Sequence, residues 1–511
     1  MDPPIVSQLL RQLFQHQQRC RISRFGASSH LRRSIVPSPS CTAQQQYRTY
    51  AARPRFGRRK KEAELDPDEA TIWRQRLDNF PKEVTEEMHD YPMVTSKDLR
   101  SRVNRPRRVK MLASDFIEDS LYNPHYGYFS KHATIFTPGE PFDFNSLDDG
   151  PAFNRLVDER YIEFEDRLDA IQPDEARQLW HTPTELFTPY YGEAIARYLV
   201  TNYRLTVFPY HDLIIYEMGA GNGTTMLNIL DYIRDVDPEV YQRTKFRIIE
   251  ISTALAGQQQ SNLDKSINAS GHADHVEIIN KSVFEWDTYV HSPCFFLAFE
   301  VFDNFSHDAI RYDMETGAPR QGCVLIDNDG EFYEYYTDEI TSTAARFLRI
   351  RQAAARRPFA TPVRPRWMRK IRQALPFAPN MTEPEYIPTR LMQFFDILRD
   401  YFPGHRLVAS DFSSLPDAVP GLNAPVVQTR YKRKTIAVST PYVHQGYFDI
   451  FFPTDFQVME DVYRAITGKL TSVSSHEDFL RRWAYVEDTE TRNGENPMLN
   501  WYKNADVLIT L

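Results

Sequence analysis

Residues 213–224 constrain this chain more than any other stretch. The apolar run Leu213-Ile214-Ile215-Tyr216 ends in Glu217-Met218 and then in Gly219-Ala220-Gly221-Asn222-Gly223-Thr224, with three glycines at alternate positions. Glycine is needed where the backbone takes positive φ or comes close to a ligand, and three in five residues exceed what an ordinary turn requires. The residues that follow, Thr225, Met226, Leu227, Ile229, Leu230 and Ile233, alternate with Asn228, Asp231 and Arg234 at helical spacing. An amphipathic helix therefore starts at the loop, and strand, turn and helix together read as a nucleotide-type cofactor loop. A dinucleotide fingerprint places glycines at the first, third and sixth positions, whereas here the fifth is Gly223 and the sixth is Thr224. That spacing argues against a dinucleotide oxidoreductase.

The context extends the pattern. The apolar run 246–251 contains Glu250 and ends at Ile251, and an acidic side chain at the end of a second strand suits a ribose diol, which needs a bidentate acceptor. Runs at 276–279, 294–299 and 405–412 read as further strands separated by helix-compatible segments, which predicts a mostly parallel sheet covered on both faces. Asn328-Asp329-Gly330 between two apolar runs is a hairpin signal, expected to add two strands to one sheet edge. Residues 340–375 read as a helical, arginine-rich insertion that includes Arg346, Arg351, Arg356 and Trp367, expected to be mainly solvated, with an acidic partner or an anionic lipid surface as the alternative. Residues 432–438 and the aromatic run 447–452 are two more expected strands, the second placed at a partner surface.

The first 61 residues differ from the rest. They hold 13 Lys and Arg against Asp2 alone, are rich in Ser and Gln, and place Leu9, Leu10, Leu13 and Phe14 on one helical face. This is the composition of a mitochondrial transit peptide, with Arg48-Thr49-Tyr50-Ala51 resembling a matrix-processing site. Its +12 is part of a chain whose net charge is −8, so the remainder stands at −20. Such an acidic protein is a poor general nucleic-acid binder and suits a cationic substrate or protein segment. Four cysteines without a CxxC pair point to neither a disulfide framework nor a metal site, and no apolar run is long enough for a membrane span. The organisation expected is a leader over 1–61, a charged linker over 62–109, a helical cap with an acidic insertion over 110–200, and a cofactor-binding domain over 201–511.

GxGxG after an acidic strand end looks like the S-adenosylmethionine loop of a doubly wound methyltransferase. Together, the aromatic stretch Phe116 to Phe129, the loop and helix from Tyr216 to Leu230, and Glu300-Val301-Phe302-Asp303-Asn304-Phe305 resemble the MidA-like mitochondrial protein arginine methyltransferase family, whose members assist respiratory complex I assembly. The resemblance spans about residues 110–325, with a weaker echo at 407–415, where Asp411 resembles a late aspartate of the family. It implies an α/β, doubly wound, seven-stranded methyltransferase sheet with an N-terminal helical cap and insertions. It also implies S-adenosyl-L-methionine as methyl donor and an arginine of a complex I core subunit as acceptor. On matching positions, Glu217, Gly219, Ala220, Gly221, Gly223, Glu250 and Ile251 are the implied donor-binding residues, with Thr182 and Glu185 closing over the donor. The chain departs from the family at Phe299, at Ser306 and in Gln178-Leu179-Trp180-His181, all near the expected acceptor site.

Methyl transfer from a sulfonium depends chiefly on alignment. An arginine acceptor is charged in water, so a carboxylate must orient it and accept a proton. Glu300, at the end of the fourth strand where open α/β sheets bind ligands, is the expected catalytic group. Asp303 shares its face if a helical turn begins there, and His307 is a weaker candidate base. A non-catalytic assembly factor that keeps the fold, and acts through the acidic insertion and the arginine-rich helix, stands as the alternative.

Overall fold

The computed structural model describes residues 86–131, 133–250, 264–363, 365, 379–416 and 419–511. The leader over 1–61, the linker up to residue 85, Ile251, and Arg364, Arg366, Trp367, Arg369 and Arg372 lie outside the described residues.

Seven strands form the main sheet, in the order β6 (Val276–Asn280), β5 (Thr244–Glu250), β4 (Leu213–Met218), β7 (Cys294–Phe299), β12 (His405–Phe412), β17 (Ala505–Thr510) and β16 (Thr471–Ser475). The first five run parallel, and β17 lies antiparallel to both neighbours. Parallel strands are covered on both faces, so the apolar side chains of one strand must go to two different cores. On β4, Leu213 and Ile215 enter a core with Tyr198, Met226 and Phe479, while Ile214, Tyr216 and Met218 enter another with Phe347, Phe394 and Met459. Helices α4 (Tyr190–Thr206), α5 (Thr224–Val236) and α9 (His476–Trp483) contribute to the first core; α6 (Ser342–Ala354), α7 (Thr389–Tyr401) and α8 (Phe456–Thr467) contribute to the second. The fold is a doubly wound, seven-stranded α/β sheet.

The hairpin signal at residues 328–330 is real, but its strands do not extend this sheet. β9 (Pro319–Ile326) and β10 (Phe332–Thr337) belong to a second, antiparallel sheet with β1 (Val109–Leu112), β8 (Asp308–Tyr312) and β11 (Glu385–Ile387). One edge of the main sheet is built by β16 and β17, late in the chain. Helix α1 (Ala113–Tyr122) packs on this second sheet through Phe116, Ile117 and Leu121, in a core that also holds Phe448, Ile450 and Phe452. A smaller sheet combines β13 (Val426–Tyr431), β14 (Lys434–Val438) and β15 (Asp449–Phe451), and β2 (Ala133–Ile135) pairs in parallel with β3 (Gln178–Trp180). Because Phe448, Ile450 and Phe452 are buried, the aromatic run 447–452 is core and not the expected partner surface.

The arginine-rich segment is solvated only in part. Within its described part, Arg346 pairs with Asp396 at 2.5 Å, Arg351 with the buried Glu385, and Arg356 with Glu460 and with Asp461. Arg351 is spent inside the molecule, whereas Arg346 and Arg356 pair at the surface and stay partly solvated. The acidic insertion behaves alike: on α2 (Gly150–Ile171), Glu165 takes Arg430 in a bidentate pair at 2.5 and 2.8 Å, and Asp166 and Asp169 hold Arg433.

Candidate active site

The glycine loop joins β4 to α5. Gly219, Gly221 and Gly223 take φ of +72°, +54° and +77°, the left-handed region that side chains avoid, which explains why the alternation is of glycines. The turn closes on itself through the Gly223 N–H, which donates to the Ala220 carbonyl at 2.8 Å. Two side chains cover it closely. A Cβ at Gly219 would lie 2.8 Å from Val301 Cγ1, and one at Gly221 would lie 2.6 Å from Ile135 Cδ1. Val301 follows Glu300, so the loop and the end of β7 are direct neighbours.

Thr182 caps the short helix α3 (Pro183–Leu186), its hydroxyl accepting the Glu185 N–H at 3.3 Å. That cap aims Glu185 at the loop. Glu185 Oε1 accepts from Asn222 Nδ2 at 3.0 Å and from the Thr224 hydroxyl at 2.7 Å, so this carboxylate braces the glycine turn from outside. Glu250 ends β5 opposite Asn280, close enough for its charge to act on Glu217.

Glu217 is buried at the last turn of β4, with Oε2 lacking any partner. Burial pushes its carboxyl up to about 8, the Glu250 charge adds to this, and the Thr225 hydroxyl offsets part of it. An unfolded glutamate titrates near 4.3, so the folded state holds the proton more tightly. The resulting stability is complete below that range and is lost as pH rises towards about 8. Donor-free protein is expected to melt at lower temperature at pH 9 than at pH 6, and Glu217→Gln to flatten that slope. Identical slopes in calorimetric melts of the two proteins would remove Glu217 as the cause.

Across from the loop, four carboxylates meet at the carboxyl ends of β7 and β12. Glu300 has φ +52°, an unusual value for a side-chain-bearing residue, and its N–H donates to the Ser410 carbonyl at 2.9 Å. Asp411 Oδ2 accepts the Phe302 and Asp303 N–H groups at 2.8 and 3.3 Å, and Oδ1 accepts the Phe412 N–H at 2.7 Å. One carboxylate thus shapes the turn that presents Glu300 and Asp303. Asp303 is buried with Oδ1 unpartnered, and Asp449 is buried with Oδ2 unpartnered. Burial and the Asp411 charge raise Glu300 well above the carboxylate range; Asp303 is raised by burial and by Asp411, Asp449 and Glu300. Asp411 itself is raised to about 7, with burial as the main cause. None of the ion pairs among the described residues involves any of the four.

The expected candidates therefore separate. Glu300 and Asp303 come together, as do Glu217, the glycines and Glu250, whereas Thr182 and Glu185 meet the loop from behind. His307 is not solvated: it is buried, its ring stacks 3.9 Å from Phe452, and burial lowers its pKa to about 4. Ser306 donates to Glu118 at 3.1 Å, and Phe299 packs edge-on against Tyr191, so both departures have structural partners. Asp449 was missed because its sequence neighbourhood, aromatic and strand-like, carries no signal of a site. Tyr122 was read within an aromatic stretch, yet its hydroxyl donates to the Asn304 carbonyl at 3.2 Å beside these acids.

A family model of S-adenosyl-L-methionine-dependent methyltransferases matches residues 194–474, more than half of the chain. The chain belongs to this family. As a member, it is an enzyme whose methyl donor is S-adenosyl-L-methionine. Among relatives, the protein arginine methyltransferase NDUFAF7 homolog, mitochondrial, of Schizosaccharomyces pombe is 29% identical over 389 residues, covering 74% of this chain and 80% of the relative. The protein of the same name in Saccharomyces cerevisiae is 20% identical over 439 residues, covering 82% and 95%. A solved structure from Burkholderia thailandensis, bound to S-adenosyl-homocysteine, aligns at TM-score 0.49 and 13% identity over 79% of this chain and 88% of that one. In this methyltransferase, no helix among the described residues is long and apolar enough to cross a membrane.

Proposed function

We propose that this methyltransferase acts in the mitochondrial matrix and transfers a methyl group to an arginine side chain of a protein, a respiratory complex I core subunit by family resemblance. The observation that carries the acceptor is the set of buried Asp303, Asp411 and Asp449 with the half-buried Glu300, none of them ion-paired with a cation among the described residues. Unpaired buried carboxylates are costly, and a guanidinium supplies both the missing charge and the missing donors. The names of the fungal relatives and the leader composition support the location and the arginine.

When bound, S-adenosyl-L-methionine supplies a methyl carbon on a positively charged sulfur. Gly219, Ala220, Gly221 and Gly223 form the turn against which it would lie, with Glu250 at the ribose hydroxyls, the position a second-strand acid takes in this class of sheet. Ile251 continues that strand end by sequence. The orphaned Glu217 Oε2 fits a polar group at the start of the loop. Thr182 and Glu185 hold the turn rigid. Glu300 orients one guanidinium nitrogen and takes its proton, a task suited to a carboxylate whose proton affinity has been raised by burial. Asp303 fixes the plane of the guanidinium.

Purified protein incubated with methyl-labelled S-adenosyl-L-methionine and mitochondrial extract is expected to yield methylarginine in a protein, read by mass spectrometry. Label on lysine or on a small molecule would overturn the arginine reading. A non-catalytic assembly role would instead show donor binding without transfer. The acidic and arginine-rich segments offered for that role have many of their described charges paired internally, which leaves less for a partner.

A further inference from the structure

The acidic cluster includes a group from outside the main sheet. Asp449, at the start of β15, is 1% exposed; Oδ1 accepts from Asn304 Nδ2 at 3.1 Å and Oδ2 has no partner. Asp303 is 3% exposed and leaves Oδ1 unpartnered. The two carboxylates share one frame. Asn304 Nδ2 also donates to the Ile450 carbonyl at 3.2 Å, and the Phe452 N–H donates to the Asp303 carbonyl at 2.7 Å. Tyr122 lies beside both acids, stacked on Phe129 with centroids 5.3 Å apart and planes at 22°.

We propose that Asp449, set with Asp303 beside the Tyr122 and Phe129 rings, selects a guanidinium over an ammonium as the methyl acceptor. This rests on the arginine reading above. A guanidinium is planar, points N–H groups in several fixed directions and stacks its face on aromatic rings, so it can serve two carboxylates from different sheets at once. An ammonium is a compact, strongly hydrated point charge on a flexible stem, without the planar fork that two fixed acceptors and a ring require. Two buried oxygens without donors are also a liability to the empty protein, so stability does not explain why they are there.

The test compares full-length wild type, Asp449→Asn and Tyr122→Leu on a short peptide containing the labelled arginine and on the same peptide with lysine in its place. Wild type is expected to prefer arginine by at least roughly a hundredfold in kcat/KM. Asp449→Asn is expected to lose at least roughly tenfold on the arginine peptide, mostly in KM, while donor affinity by calorimetry stays unchanged and Tm does not fall. A purely structural role for Asp449 would lower Tm and donor affinity together. Tyr122→Leu is expected to raise KM for arginine several-fold, which keeps the test open should the Asn variant not fold. Wild type that modifies arginine, beside variants with unchanged arginine kinetics, overturns this inference alone. Wild type that modifies lysine, or neither peptide, overturns the arginine reading and this inference with it.

Discussion

Gly221→Val is expected to abolish measurable donor binding, a loss of at least roughly a hundredfold in Kd, or about 2.7 kcal/mol. The decisive term is the backbone. At φ +54°, a β-branched residue is a steric outlier, and even an ordinary side chain costs about 1–2 kcal/mol in this region. The new Cβ would also meet Ile135 Cδ1 at 2.6 Å; the tip of an isoleucine can move, but the two-stranded unit that carries it covers the loop and shifts with it. Gly221→Ala shares the φ penalty with less bulk, so it should fall between wild type and valine. Calorimetric titration with S-adenosyl-L-methionine checks the series. A valine variant with wild-type affinity would refute the assignment of the loop as donor site.

Glu300→Gln is expected to leave donor affinity nearly intact while slowing transfer by at least roughly tenfold, about 1.4 kcal/mol in the barrier. Glutamine preserves size and one acceptor oxygen, and the backbone at this position is fixed independently by the Ser410 carbonyl and by Asp411 on the following turn. What it removes is the group that accepts the proton. In wild type, the rate should rise with pH as Glu300 loses its own proton, over a range displaced upwards from an ordinary glutamate because burial and Asp411 raise it. The variant should lack that limb. Equal transfer rates, or an unchanged pH profile, would take Glu300 out of the mechanism.

Much of the architecture was legible in local pattern. The strand expected at 405–412 coincides with β12, and β4, β6 and β7 fall within a residue or so of their runs; β4 and β7, covered on both faces, read as nearly uninterrupted greasy segments. β16, with the sequence Thr-Ser-Val-Ser-Ser, is an edge strand with one side open, and it carries no such signal. The hairpin at residues 328–330 was expected at an edge of the main sheet because its turn chemistry fixes the pairing of two strands but says nothing about which sheet receives them. The partners of the arginines were hidden for a similar reason. A run of charges looks solvated until its partners are known, and Asp396, Glu385, Glu460 and Asp461 lie far along the chain.

The sequence by itself determined the methyltransferase family and the glycine turn, because a turn with three left-handed residues is written most readily with glycines and a doubly wound sheet imposes its apolar rhythm on its buried strands. Tertiary structure alone decided the company of Glu300. Asp411 comes from β12 and Asp449 from a separate small sheet, and their convergence with Asp303 depends on long-range pairing and packing that no local spacing encodes. The physical reason is the one that raises their proton affinities: burial brings carboxylates together out of water, where each is felt by the others.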